Sequence, residues 1–323
     1  MSKIPPFRGA LLDIGSNSVK FMLAEQRGGT LHIIKEKAVT TRLGASLALT
    51  GNICPQSAAD TLKVLQRCKL EADAFGAEKI IAIGTSALRS AANSSIVLQP
   101  ARSLLGTAIR IISGKLEGEL VYAGATWTPR WRKKTTLVID VGGGSVEFVL
   151  GRQGKVLKSI SLPLGCVRIR DLFLQEQPPD PLGWQNAKLH LESEIKKRVS
   201  RHVGIPVDCV GTGGTMLTLA MIHRRHPASI WSEDLDGTAV SRLELHQISR
   251  KLSEQSLTIL QKNASIPKSR ADIITAGSLI YASALEALHL DSIHCSTRGL
   301  RYGLWRKMLA TRPITRMIYE VQK

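Results

Sequence analysis

The sequence predicts an α/β protein of two lobes, each a mixed sheet opened by a β-meander and flanked by helices. Three observations predict it. The segment Leu11-Leu12-Asp13-Ile14-Gly15-Ser16-Asn17-Ser18-Val19-Lys20-Phe21-Met22-Leu23 aligns without a gap on Val138-Ile139-Asp140-Val141-Gly142-Gly143-Gly144-Ser145-Val146-Glu147-Phe148-Val149-Leu150, 127 positions later. After each copy, apolar runs of strand length alternate with segments of helical spacing, the pattern of an α/β domain. With 323 residues and 43% apolar content, the chain can bury a sizeable core, and its length suits about two domains.

Each copy is an apolar run ending in an acid, then small residues, then an alternating run, which reads as a β-hairpin. Its small-residue turn leaves backbone N–H groups unobstructed, a nest for an oxyanion such as phosphate. Two such turns imply two lobes facing one another across one phosphate-binding cleft. In the first lobe Gly28-Gly29 turns the chain into a third strand, 30–38. Residues 57–75 then have helical spacing, 80–84 form a buried strand, a helix starts at Ser86, 109–113 form a strand and 116–127 a helix. The basic, Pro-containing stretch from Thr128 to Lys134 marks the boundary, giving lobes 1–127 and 128–323. The second lobe opens with the hairpin 137–150, turns at Gln153-Gly154 and continues with strand 155–162. A Pro-rich loop, 177–180, leads to a charged helix, 182–202, and a strand, 208–210. The glycine turn 211–214 opens a helix at Thr215, and helices 243–261 and 271–288 follow.

The formal net charge is +18, a field that draws in polyanions. Residues 1–125 hold 15 Lys and Arg against 9 Asp and Glu, and residues 126–323 hold 29 against 17, so the second lobe carries most of the excess. Its clusters are Arg130, Arg132, Lys133 and Lys134; Lys196, Lys197, Arg198 and Arg201; and Arg224 with Arg225. Each alone reads as a solvated face, and only their sum argues for an anionic partner. Aromatics are 4%, too few for the stacking platforms of single-strand binders, so nucleic acid is the less favoured polyanion. The five cysteines are scattered with no CxxC pair, which indicates neither a disulfide framework nor a zinc site, and a reducing cytoplasmic compartment is expected. No signal core and no apolar run of about 18 residues occurs, so a soluble protein without a membrane partner is expected.

Asp13 and Asp140 end the first strand of each hairpin, beside a phosphate turn. A carboxylate repels phosphate, so in that place it works through a divalent cation or a bound water; otherwise it caps its own turn. The repeat breaks where Lys20 corresponds to Glu147. Lys20 suits a substrate phosphate and Glu147 a cation or water, although either could be merely solvated. Gly213-Gly214-Thr215 joins an apolar strand to a helix whose N-terminus can receive an anion; a close-packed turn explains the same residues. No GxSxG, Cys–His or HExxH signature supports a serine, cysteine or zinc hydrolase.

In order, the chain reads DIGSNS, GTSALR (84–89) with Asn93 following, ISGKLEGELVYAG (112–124), DVGGGSVE and VGTGGT. This set, spanning about 11–305, resembles the exopolyphosphatase and guanosine pentaphosphate phosphohydrolase family, in the superfamily of actin, sugar kinases and heat-shock ATPases. The resemblance implies two actin-like (ribonuclease H-like) lobes. It implies that Glu117, in Ser113-Gly114-Lys115-Leu116-Glu117, is the catalytic base, with Leu116 replacing a second acid and Glu119 as rival. It further implies that Arg89 reaches substrate phosphate, joining the phosphate-binding residues read above, Gly15, Ser16, Asn17, Ser18, Lys20, Gly142, Gly143, Gly144, Ser145, Gly213, Gly214 and Thr215, beside the metal candidates Asp13, Asp140 and Glu147. The closing segment 296–303 resembles the family's S-x-x-G-L-R-E-G with Tyr302 in place of the acid, and Arg301 there braces the fold. His223-Arg224-Arg225-His226 reads as a basic helix end rather than a metal site.

The expected function is release of terminal orthophosphate from inorganic polyphosphate in the interlobe cleft, with Mg2+ or another divalent cation and K+ as a stimulating ion. The alternatives are hydrolysis of guanosine pentaphosphate, an ATP-using acetate- or sugar-kinase relative, and a catalytically inactive polyanion-binding regulator. A homodimer is an open expectation. Longer relatives add a C-terminal helical domain that this sequence lacks, so a short and less processive form is expected.

Overall fold

The computed structural model describes residues 6–203, 207–230, 233–309 and 316–319. Phe7–Ile14 forms β1, six of whose eight residues are buried in succession, the pattern of a strand flanked on both edges and covered on both faces. It pairs antiparallel with β2 (Ser18–Arg27), which pairs antiparallel with β3 (Thr30–Thr40). On its other edge β1 runs parallel to β4 (Lys79–Gly84), which is followed by the short β5 (Arg110–Ile111). The helices Pro55–Ala74 and Ser95–Leu105 contribute Leu65, Cys68, Val97 and Ala101 to one core with Leu12, Ile14 and Phe21. Each large buried side chain there is worth about 1.5–3 kcal/mol. The helix expected from Ser86 is in fact two, Ser86–Ser90 and Ser95–Leu105. Asn93 sits at the break and closes it on a distant loop: its Oδ1 accepts from Ile53 N (2.8 Å) and its Nδ2 donates to Ile53 O (3.0 Å).

The second sheet repeats this plan. β6 (Thr135–Val141), β7 (Val146–Arg152) and β8 (Lys155–Leu162) form an antiparallel meander, and β9 (Asp208–Thr212) runs parallel to β6. β10 (Ala239–Ser241) and β11 (Ser292–Cys295) complete the order β10-β11-β9-β6-β7-β8. In the first sheet β12 (Arg316–Tyr319) lies parallel to β3, giving β12-β3-β2-β1-β4-β5. The sequence repeat is thus a repeat of strand order, with β3-β2-β1-β4-β5 matched by β8-β7-β6-β9-β11. The helix Ile274–Ala287 buries 13 of its 14 residues, as a helix apolar almost all round must. The expected helix 243–261 is interrupted, because Ser256 accepts from Ile259 N (3.4 Å) and starts a new helix, Leu257–Lys262, after Arg242–Ser253 ends. Among the described residues no helix is long and apolar enough to cross a membrane.

The chain divides into two compact units, Met1–Ser113 with Leu304–Lys323, and Gly114–Gly303. Residues 114–127 therefore go with the second unit, whereas the sequence reading set the boundary after 127. The cause is backbone approach. A methyl group on Gly118 would strike Ser159 Oγ and stand 2.9 Å from Val149, so the Gly114–Ala125 helix lies directly on β7 and β8. A methyl group on Gly124 of the same helix would strike the carbonyl oxygen of Gly299, and one on Gly303 of the Leu300–Met308 helix would strike that of Leu120, so the crossing of the two helices has no room for a side chain.

Because these obstacles are backbone atoms that no rotamer change can clear, Gly303→Ala should lower stability by about 1–3 kcal/mol. The check is thermal unfolding, where an unchanged midpoint would show that the crossing can open without penalty.

Candidate active site

Both hairpin turns are closed and backed in the same way. Gly15 N donates to Ser18 O (3.1 Å) and Gly142 N to Ser145 O (3.0 Å). The turn carbonyls are then taken up by the segment that follows the third strand. Asn17 O accepts from Thr41 N and Arg42 N, and Ser16 O from Gly44 N (2.7 Å). In the second unit Gly142 O accepts from Cys166 N, and Gly143 O from Val167 N (2.9 Å) and Arg168 N. With the carbonyls engaged from behind, the turns can offer N–H groups to an anion. In the first turn Ser16 Oγ and Asn17 Oδ1 are buried without a hydrogen-bond partner, a placement that calls for a ligand or water.

Strand register decides what stands beside each turn. Asp13 pairs with Lys20 across β1 and β2, and Lys20 Nζ donates to Asp13 Oδ2 (3.2 Å). The expected phosphate ligand and metal ligand of the first unit thus neutralise each other. In the second unit the corresponding cross-strand pair is Asp140 and Glu147, two acids directly opposite, a destabilising arrangement. Glu147 is 1% exposed and accepts from Ser161 Oγ (2.8 Å). Burial, and then the charges of Glu117 and Asp140, push its carboxyl well above the usual range, against the hydrogen bonds from Ser161 and Ser145.

Glu117 lies in the first turn of the Gly114–Ala125 helix, a favourable end for an acid, and is buried, whereas Glu119 is partly exposed. Glu117, Asp140, Glu147, Gly142–Ser145 and Gly213–Thr215 therefore all belong to the second unit. Gly213 has φ +82°, and any side chain there would strike Asp140 Oδ1. Thr215 Oγ1 donates to Val141 O (3.2 Å), tying the glycine turn to the end of β6. In the first unit Arg89 is half-buried, and its Nη1 donates to Ile112 O (2.8 Å).

Hard carboxylate oxygens crowded in this way suit Mg2+ or a similar cation, and burial, with the neighbouring acids, raises the Glu147 carboxyl. As they stand, no three His, Cys, Asp or Glu side chains among the described residues are grouped closely enough to hold a metal. Asp13, the third expected ligand, belongs to the first unit and is engaged by Lys20.

Three residues here escape the sequence reading. Ser161 stands opposite Glu147 only because a β-bulge at Leu150/Gly151 shifts the β7–β8 register by one; counting back from Gln153-Gly154 puts Ile160 there. Arg270 packs its guanidinium on Gly214, where a methyl group would collide with it, and the Asp140 charge acts on it. The Tyr281 hydroxyl lies within hydrogen-bond distance of Ile139 O (3.1 Å) and Thr212 O (2.9 Å), joining β6 to β9. A lone Arg or Tyr in a helical pattern carries no sign of such a role. The closing segment braces the second unit, since Arg298 O accepts from Thr212 Oγ1 (2.8 Å) and Arg298 pairs with Asp236 (3.1 Å). His223 and its neighbours end a helix, closed by Arg225 at φ +53°.

The sequence pattern of the Ppx/GppA phosphatase family matches residues 22–312. Exopolyphosphatase 2 of Mycobacterium tuberculosis is 28% identical over 319 residues, covering 92% of this chain and 97% of that protein. The guanosine-5'-triphosphate,3'-diphosphate pyrophosphatase of Photobacterium profundum is 24% identical over 302 residues, covering 93% of this chain and 59% of that protein. Among solved structures, the Aquifex aeolicus Ppx/GppA family member superposes with a TM-score of 0.78 at 29% identity, covering 95% of this chain and 99% of that one.

The raised carboxyl of Glu147 makes a stability prediction. A folded-state pKa above the unfolded value means that the folded chain binds the proton more tightly, so stability falls as pH rises from the ordinary carboxylate range through the raised value. In metal-free buffer, Glu147→Gln should therefore raise the melting temperature at pH 8 and change it little at pH 4. Thermal scans at the two pH values check this, and a variant less stable than wild type at pH 8 would refute the charge crowding.

Proposed function

The chain belongs to the Ppx/GppA phosphatase family, and on that premise we propose that it is a phosphoanhydride hydrolase releasing terminal orthophosphate from inorganic polyphosphate. The observation that carries this reading is the crowding of Glu117, Asp140 and Glu147 beside the Gly142–Ser145 turn. Phosphoryl transfer needs a water held in line with the leaving oxygen and charge neutralisation on the transferred group. Glu117 takes the proton of that water as its oxygen attacks the terminal phosphorus. The bridging P–O bond breaks, and the shortened chain leaves with the electron pair. The N–H groups of Gly142–Ser145 and Gly213–Thr215 and the Arg270 guanidinium bear the phosphoryl charge, and a planar donor such as Arg suits phosphate oxygens. Gly15–Ser18 of the first unit closes in the same way as Gly142–Ser145 and is by itself a second anion cradle.

Asp140 and Glu147 are the residues that would hold a divalent cation, Mg2+ by donor chemistry, which when bound neutralises phosphate oxygens. Glu147 is kept in place by Ser161. The positive charge of the chain, +18, favours a polymer, because a phosphate chain rewards an extended field while one nucleotide needs a local site. Guanosine pentaphosphate is the second reading, supported by the relative named for a guanosine nucleotide. Phosphate release from long polyphosphate and from guanosine pentaphosphate under matched conditions separates the two, and the polymer should be the better substrate.

Glu117→Gln keeps size and hydrogen bonding but removes the base, so turnover should fall by about 10²- to 10⁴-fold while substrate binding persists. Glu119→Gln should stay near wild type. If Glu119→Gln loses turnover and Glu117→Gln does not, the base is misassigned.

The exposed cluster Lys196, Lys197 and Arg198, where Arg198 has only a loose partner in Glu194 (3.5 Å), makes a separate test. The side chain of Arg132, in the other basic stretch, lies outside the described residues. Reversing the charge of the three should weaken action on long chains more than on short oligomers, and salt should erase the difference. Steady-state kinetics against chain length reads this, and equal kinetics throughout would make the cluster an ordinary solvated face.

A further inference from the structure

We propose that the second unit carries another binding site, a cavity among its helices that takes a small planar aromatic anion. The cavity has a volume of about 220 Å3. Three helices each turn one stripe toward it: Trp184 and Lys188 from Pro181–Arg198, His246, Ser249 and Arg250 from Arg242–Ser253, and Leu279, Ala282 and Ser283 from Ile274–Ala287. Spacings of three and four put such residues on one helix face. Small side chains on two of the helices leave the space. None of the residues lining it belongs to the phosphate turns or the acidic group.

Its chemistry is specific. Ser283 is 1% exposed, and its Oγ has no hydrogen-bond partner. Buried helical hydroxyls commonly return their proton to a carbonyl one turn back, as Ser278 does to Thr275 O (2.8 Å) in the same helix. Ser283 is thus a polar group built into an apolar wall and left for a ligand. Trp184, half-buried against the core, lines the cavity, and its aromatic ring suits an offset-stacked or edge-to-face aromatic partner. The volume lies below the roughly 300–1,000 Å3 of drug-sized pockets, so the occupant is one fused ring system.

The rim adds charge. Lys188 is paired with Glu192 at 3.8 Å, Arg250 with Glu254 at 3.0 Å, and His246 with Glu286 at 3.3 Å. The Arg250 side chain is 83% exposed. Exposed pairs of this kind are weakly held, so Lys188 and Arg250 can turn to an anionic group, which a guanidinium takes with two hydrogen bonds. A ring against Trp184, one polar ring atom on Ser283 and an anion on Arg250 and Lys188 describe a nucleoside monophosphate or an aromatic carboxylate. The shared chemistry is the aromatic anion.

Calorimetric titration of the full chain with adenosine 5'-monophosphate and, separately, indole-3-carboxylate tests this, with saturating tripolyphosphate present to occupy the phosphate turns. At least one probe should bind saturably with a Kd below about 1 mM, and whichever binds identifies the source of the anion. Trp184→Leu and Arg250→Ala should each weaken that binding about five- to tenfold, a change of roughly 1–1.4 kcal/mol. Arg250→Ala, at an exposed position, should leave fold and turnover unchanged. No saturable binding of either probe, binding abolished by tripolyphosphate, or equal affinity in both variants would overturn the proposal.

Discussion

The antiparallel register of the two hairpins is the constraint on which the site depends. Once Gly15 N–H closes on Ser18 O and Gly142 N–H on Ser145 O, every residue on the second strand has an assigned partner on the first. The position before each turn then faces the position after it, with side chains about 4.5–5.5 Å apart at their Cβ atoms. A pairing so close cannot be indifferent to charge. In the first unit it becomes an Asp–Lys ion pair, and in the second an Asp–Glu pair. One backbone device, used twice, yields a neutral cradle and an acidic one.

The acidic version is held against its own electrostatics. The Asp140 carboxylate fills the space that a side chain on Gly213 would need. Glu147 is buried, and that burial, followed by the charges of Glu117 and Asp140, raises its carboxyl while Ser161 and Ser145 hydrogen-bond it. Two acids set opposite one another call for a neutralising group, and sites of catalysis are where such perturbed groups concentrate. In the first unit Lys20 meets the same need internally.

Rigidity comes from what lies beneath. Tyr281 reaches β6 and β9 from a helix buried on nearly every side. Burial, and then the charge of Asp140, hold its hydroxyl well above the usual range, so it stays protonated and able to donate. Thr215 and Gly213 fasten the glycine turn to the end of β6. Arg170 pairs with Asp272 (2.9 Å), two residues from Arg270, and so steadies the loop that lays Arg270 on Gly214. The Gly124 and Gly303 crossing ties the helix of Glu117 to the same body. The acid proposed as base is therefore mounted on the unit that carries the other two acids.

Local chemistry was legible in the sequence wherever a residue's role depends on its own neighbours in the chain. The hairpin turns need small residues and a closing glycine, so the repeat announced both of them, and with them Asp13, Asp140, Lys20 and Glu147. Apolar periodicity announced the meanders and most of the long helices, because burial of one face is a local pattern. The tertiary structure alone decided the rest. A bulge in β7, invisible in composition, selected Ser161 over Ile160 as the partner of Glu147. Asn93 and Ser256 broke helices that periodicity would have continued, each through a hydrogen bond whose worth depends on a packed neighbour. Backbone contact at Gly118 and Gly124 placed Glu117 in the second unit, and Arg270 came to Gly214 from a loop more than fifty residues away in sequence. Such choices rest on steric fit and on charges brought together by folding, and neither has a period along the chain.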